Sequence, residues 1–108
     1  MHTYSLRILL AADSGQQATS FEYCLRQAGH EVVAVEARGD TALRAARLIY
    51  PDLVVLGGPL RGPLDAVALG AALQAGHSAP VPMLLVANPA ELLALLDLQA
   101  RHGPYRTN

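Results

Sequence analysis

Short apolar segments alternate with longer segments of helical periodicity along this chain, and this alternation limits the possible folds more than any other feature. The apolar segments span residues 6–11, 31–35, 53–56 and 83–86. Between them, apolar residues recur at three- and four-residue steps, as expected for one face of a helix. Strands that alternate with helices form βαβ units, in which a parallel sheet is covered on both faces.

The sequence therefore predicts an α/β fold with a flavodoxin-like, doubly wound parallel sheet of five strands in the order 2-1-3-4-5. Residues 1–108 form a single domain. Residues 99–108 supply a short fifth strand around Tyr105, which leaves the C-terminal helix of such a fold missing or truncated. Ligands of these sheets lie at the carboxyl ends of the strands, so the loops of interest follow Ala12, Leu56 and Ala87.

The helix ends carry recognisable signals. Asp40 and Asp65 are predicted to cap the second and third helices, because a carboxylate accepts hydrogen bonds from the free amides of a first turn. Pro51 ends the second helix. A fourth helix is predicted after Pro89, and it includes residues 92–98.

Composition excludes several classes of protein. The formal net charge is −1 and the arginines are scattered, so no basic stripe for nucleic acid is present. The single cysteine, Cys24, excludes an internal disulfide and is expected to be buried and inert, and the four histidines lack metal-ligand spacing. No apolar run is long enough to span a membrane and no signal-peptide pattern is visible. We expect a cytoplasmic protein.

Residues 51–62, with the sequence PDLVVLGGPLRG, resemble the third strand and following loop of a response-regulator receiver domain. Residues 7–14 are similar to the first strand of that family, and residues 39–54 to its second helix and third strand. The third strand of a receiver domain normally ends in an aspartate that accepts a phosphoryl group. Gly57 stands at that position here, and it has no side chain to phosphorylate.

The resemblance implies further losses at the same site. The two adjacent acids that normally follow the first strand are Ala12 and Asp13, the hydroxyl residue of the fourth strand is Ala87, and the lysine of the fifth falls near Asn108. A single carboxylate binds Mg²⁺ weakly, so we expect no metal and no cofactor. Asp13 is either a remnant metal ligand or a helix cap. The predicted degenerate phospho-acceptor pocket consists of Ala12, Asp13, Gly57 and Ala87.

The loop after the third strand contains Gly57-Gly58 but matches no nucleotide-binding pattern. It is either a simple tight loop or an anion site that uses loop amides and Arg61. No pairing of a nucleophile with a base is evident on neighbouring loops, so the chain is not expected to be an enzyme.

The fourth helix is apolar almost all the way round, and a surface helix normally keeps a polar face. With no fifth helix, one face of the sheet is expected to stay partly open. The predicted interaction surface consists of Leu92, Leu93, Leu95, Leu96 and Tyr105. The alternatives are a tail that folds back as a lid, or a sequence that is part of a longer chain.

These observations lead to two hypotheses. The first is a degenerate receiver domain, or pseudo-receiver, that acts as a phosphorylation-independent protein–protein interaction module in signalling or transcriptional regulation, with a homodimer expected. The alternative is a small-molecule or anion sensor that uses the emptied receiver pocket.

Overall fold

The computed structural model describes residues 5–12, 15–58, 60–75 and 81–102, and for residues 97–102 it describes the backbone alone. Asp13 and Tyr105, to which predictions were attached above, lie outside the described residues.

Strands and helices alternate along the described chain. In order they are β1 (Arg7–Ala11), α1 (Gly15–Gln27), β2 (Glu31–Glu36), α2 (Gly39–Ile49), β3 (Leu53–Leu56), α3 (Ala66–Ala75), β4 (Met83–Leu85) and α4 (Pro89–His102). All strand pairs are parallel and the order in the sheet is β2-β1-β3-β4. The flavodoxin-like arrangement and the order 2-1-3-4 are confirmed. The described residues contain four strands.

Two helical layers enclose the sheet, with two helices on each face. The β1 and β3 strands are covered on both sides, which explains why they are continuous apolar runs. One core cluster joins the sheet to α1 and α4 through Ala18, Phe21, Leu25, Leu92 and Leu96. The other joins it to α2 and α3 through Ala42, Ala46, Leu69 and Leu73.

The position of α4 corrects two expectations. The helix continues to His102, so residues 99–102 are helical and do not contribute to a fifth strand. It also packs beside α1, so the face that was expected to stay partly open is covered by α4 itself. The physical reason lies in the spacing of Leu92 and Leu96, which turns both side chains inward to the sheet. On the other side of the helix, Leu93 and Ala94 are exposed, so α4 is buried along one side only.

The helix starts follow the cap predictions in one case and depart from them in another. The Asp65 carboxylate accepts a hydrogen bond from Ala68 N–H at 2.9 Å, which confirms it as the cap of α3. The α2 helix begins at Gly39, one residue before the predicted cap, so Asp40 already lies in its first turn. A Cβ atom at Gly39 would overlap the Leu64 carbonyl oxygen, so this close approach requires glycine.

Candidate functional site at the carboxyl ends of the strands

Ala12 and Gly57 lie side by side where β1 and β3 end. The Gly57 N–H donates to the Ala11 carbonyl oxygen at 2.8 Å, and the Ala12 N–H donates to the Glu36 carbonyl oxygen at 3.0 Å. Both residues are buried, and Ala12 is only 2% exposed. The structure therefore brings these two predicted pocket residues together, but as backbone continuing the ladder of hydrogen bonds.

The space next to Gly57 is filled by an aromatic ring. A Cβ atom built on Gly57 would lie 2.6 Å from Phe21 Cε2, 3.0 Å from Cδ2 and 3.2 Å from Cζ. Phe21 comes from the apolar side of α1 and is completely buried. A side chain on residue 57 would thus start inside the volume of the ring. No pattern in the sequence indicates that Phe21 reaches the end of β3.

Ala87 takes part in the start of α4. Its N–H donates to the Glu91 carboxylate at 2.6 Å, while the Asn88 side-chain oxygen accepts from the Glu91 N–H at 2.8 Å. These reciprocal bonds satisfy free amides of the first turn in the manner of a capping box. This cap was not predicted, although Asn88 followed three residues later by Glu91 is its usual sequence signal.

The loops after β2 and β3 are tied together next to this site. The Arg61 N–H donates to the Ala37 carbonyl oxygen at 3.1 Å, and the Gly39 N–H donates to the Arg61 carbonyl oxygen at 3.3 Å. The Arg38 guanidinium contacts both Asp40 carboxylate oxygens, at 3.0 and 3.1 Å. This hydrogen bonding holds the pKa of Asp40 below its usual value and raises that of Arg38. The charge of Arg38 is therefore already balanced within the protein.

The described residues offer little else for chemistry at this edge. Within the ranges given above, no three His, Cys, Asp or Glu side chains are grouped so that they would hold a metal ion. Cys24 is half-buried on α1 and not paired in a disulfide. None of the helices, as far as they are described, is long and apolar enough to cross a membrane.

The predicted interaction surface on α4 is only partly available. Leu92 is completely buried and Leu96 is 6% exposed, so the prediction that they form a surface is wrong for these two side chains. Leu95 is half-buried and packs against the same core cluster. Leu93 is 36% exposed. Interface roles for Leu93 and Leu95 remain predictions.

The parallel order β2-β1-β3-β4, with helices on both faces, defines a flavodoxin-like α/β protein. Comparison with known proteins shows which flavodoxin-like proteins this chain is similar to. No protein-family model and no curated protein matches the sequence, but solved structures do.

Several of the structural matches are receiver domains or come from response regulators. The signal receiver domain of a modulated diguanylate cyclase from Desulfovibrio desulfuricans G20 is 24% identical, with a TM-score of 0.71 over 93% of this chain and 96% of that one. The BeF3-activated receiver domain of Klebsiella pneumoniae RstA is 27% identical, with a TM-score of 0.68 over 85% and 96%. The fold of this chain is that of a response-regulator receiver domain, as the resemblance predicted.

A third match is longer than this chain. The anti-anti-sigma factor PhyR from Bartonella quintana is 17% identical, with a TM-score of 0.75 over 94% of this chain. The match covers 50% of the PhyR chain, so the present chain spans about half of that protein.

Proposed function

We propose that this protein is a receiver-fold signalling module that binds protein partners and is not switched by phosphorylation. The observation that carries this proposal is the contact between Gly57 and Phe21. At the end of β3 there is no carboxylate, and the space that its side chain would need is filled by the Phe21 ring. This part of the site has become hydrophobic core.

The loss affects the reaction itself. Transfer of a phosphoryl group to a receiver requires a carboxylate nucleophile, and the charge on the transferred group must be balanced by metal or cationic groups. Gly57 and Ala12 have no functional group to offer, and the Ala87 N–H is bonded to Glu91. The Arg38 side chain pairs with Asp40. Nothing in the described part of this site supports the reaction.

The fold and the structural matches support a role in binding other proteins. The receiver fold is a scaffold on which different functions are built, so the fold alone does not decide the function. One match is named an anti-anti-sigma factor, and another is a receiver domain of RstA, so both come from regulatory systems. We propose a regulatory role here too, in the cytoplasm, with a protein partner or a second copy, and without membrane or nucleic-acid binding or enzymatic activity.

The sensor alternative is less well supported. A ligand in place of the phosphoryl group would need open space between Gly57 and its neighbours, as small-molecule sites are concave and largely pre-formed. The Phe21 ring occupies that space on the side of Gly57.

Phosphoryl transfer provides the test. The purified protein is incubated with acetyl phosphate and Mg²⁺ and its intact mass is measured, with a receiver domain that retains its acceptor aspartate as the positive control. We expect an unchanged mass for this protein and a phosphorylated fraction in the control. A hydroxylamine-labile phosphoryl adduct on this chain would refute the proposed independence of phosphorylation.

A further inference from the structure

One long stretch of the sequence, which includes an edge strand of the sheet, carries no formal charge. The sequence contains no Asp, Glu, Lys or Arg between Asp65 and Glu91, a stretch that includes all of α3 and β4. Two large apolar side chains are exposed there, Val67 at 82% and Leu85 at 66%. Contiguous exposed apolar surface is typical of a protein interface.

The β4 strand lies at the edge of the sheet, and the described residues pair it with β3 alone. The Pro82 carbonyl oxygen accepts from Val54 N–H at 2.9 Å, and the Val86 N–H donates to the Leu56 carbonyl oxygen at 3.0 Å. Backbone groups alternate in direction along a strand. The N–H and C=O groups of Met83 and Leu85 therefore point away from β3, toward the outer edge.

The two edges of the sheet differ in charge. The opposite edge is β2, which begins with Glu31 and ends with Glu36. If two β2 strands paired in antiparallel fashion, glutamates would face each other across the pair, and like charges in such positions are destabilising. The three residues of β4 are Met, Leu and Leu, so this edge lacks the charges with which proteins usually protect an edge strand.

A parallel strand of the same chain next to β4 would require an unusual connection. The crossover from β3 to β4 carries α3 on the face of α2, whereas α4 lies on the face of α1. A further parallel strand next to β4 would extend the sheet in the same direction as the step from β3 to β4. If it were connected through α4, however, the connecting helix would lie on the face of the sheet opposite to α3. Such a crossover would be left-handed, which occurs in only about 2% of cases.

We propose that β4 pairs with β4 of a second copy in antiparallel orientation and joins two sheets into one. With the two-fold axis at Leu84, Met83 faces Leu85 of the second copy and exchanges hydrogen bonds with it, and Leu84 faces Leu84. The inference names a second copy as one partner of the proposed interaction module and rests on that proposal. It does not depend on the absence of phosphorylation.

The pairing would cover apolar groups on both faces of the joined sheet. Met83 and Leu85 lie on the α3 face, where a Cβ atom on Gly70 would be 3.1 Å from Met83 Cε. Leu84 and Leu95 are only half-buried on the α4 face, and both pack against the first core cluster. The dimer thus accounts for exposed or half-exposed apolar side chains on either side of the strand.

The first test compares two edge substitutions in the full chain by sedimentation velocity. Leu85→Glu places a charge in the proposed interface, and Val35→Glu is the matched control on β2, where Val35 is 41% exposed. We expect the wild type and Val35→Glu to dimerise at micromolar concentration, and Leu85→Glu to be monomeric with an unchanged circular-dichroism spectrum. A monomeric wild type, or a dimeric Leu85→Glu, would overturn the proposal.

The second test locates the axis through disulfide formation in a Cys24→Ser background. Residues facing each other in a non-hydrogen-bonded pair have Cα atoms about 4.5 Å apart, which a disulfide tolerates. We expect Leu84→Cys to form a covalent dimer under mild oxidation and Leu93→Cys to remain largely monomeric. Cross-linking at Leu93 alone would overturn the proposal in favour of an α4 interface.

Amide hydrogen exchange identifies the occupant of the edge. In the proposed dimer, the amides of Met83 and Leu85 are protected at high protein concentration and exchange faster on dilution. Protection of both amides in a protein that sediments as a monomer would refute the dimer and assign the edge to the chain's own terminal residues. None of these refutations bears on the phosphoryl-transfer test, so failure of this inference is distinguishable from failure of the proposed function.

Discussion

The ring of Phe21 lies so close to Gly57 that a methyl group on residue 57 would be 2.6 Å from the nearest ring carbon. Both residues are buried. The contact joins the middle of α1 to the end of β3, at the position that the resemblance to receiver domains assigns to the acceptor aspartate. The absence of a side chain on residue 57 is therefore what allows α1 to pack this closely against the end of β3.

Gly57→Ala is expected to destabilise the protein by about 1–3 kcal/mol, the usual cost of inserting a methyl group into a packed core. Urea unfolding measures this change. Gly15→Ala is the matched control, because a Cβ atom there has no other described atom within 4 Å, and it should leave the stability unchanged or slightly higher. Equal stability of Gly57→Ala and the wild type would contradict the assigned contact.

A double-mutant cycle attributes that cost to the ring. In a Phe21→Leu background the side chain is smaller and more adaptable, so Gly57→Ala should lose at least half of its destabilising effect. An undiminished effect would place the obstruction elsewhere, for instance in the backbone of β3.

Gly57→Asp alone is not expected to create a phosphorylatable protein. The new carboxylate would have to displace the Phe21 ring, and burial without a partner favours its neutral form, which is a poor nucleophile. Intact mass after treatment with acetyl phosphate and Mg²⁺ measures this, alongside urea unfolding to establish the folded fraction. Mg²⁺-dependent phosphorylation of the folded variant would mean that the rest of the receiver chemistry is present.

The order of the first four strands could be predicted from sequence because it depends on local patterns, and the assignment of Gly57 to the acceptor position stays a prediction that rests on the resemblance. Apolar runs mark covered strands, and Gly57 follows such a run directly. The contact of Phe21 with Gly57 could not be predicted in this way. It depends on how far α1 extends over the sheet, which is decided by the packing of whole elements.

The face on which α4 packs was also beyond sequence analysis. A stripe of leucines shows that a helix has a buried side, but the same stripe fits either face of a sheet. Exposed leucines added to the ambiguity, since Leu93 made α4 appear apolar all round. The helix without any charged residue is α3, whose outer side exposes Val67.

His30 is expected to make the protein less stable in mild acid. Its Nδ1 atom accepts a hydrogen bond from the Leu6 N–H at 3.1 Å, and burial lowers its pKa from the usual value near 6.5. Between the lowered pKa and about 6.5 the unfolded chain binds more protons, so this contribution is complete above that range and declines as the pH falls through it.

His30→Asn separates this effect from the titration of carboxylates. The asparagine side-chain oxygen can accept the same bond from Leu6 but does not titrate. Urea midpoints measured from pH 7.5 down to 5 should fall more steeply for the wild type than for His30→Asn. Parallel curves would show that His30 does not govern the acid sensitivity.

Leu92 and Leu93 are neighbours on α4 that should respond differently to truncation. Leu92 is completely buried between α1 and the sheet, so Leu92→Ala should cost about 2–5 kcal/mol by leaving a cavity. Leu93 is 36% exposed, and Leu93→Ala should change the stability by less than about 0.5 kcal/mol. Urea unfolding of both variants checks the assignment, since a rotation of α4 by one residue would reverse the two results. If instead both substitutions lowered the free energy of unfolding by several kcal/mol, Leu93 would have to be covered by a second copy. This result would support α4 as a dimer interface.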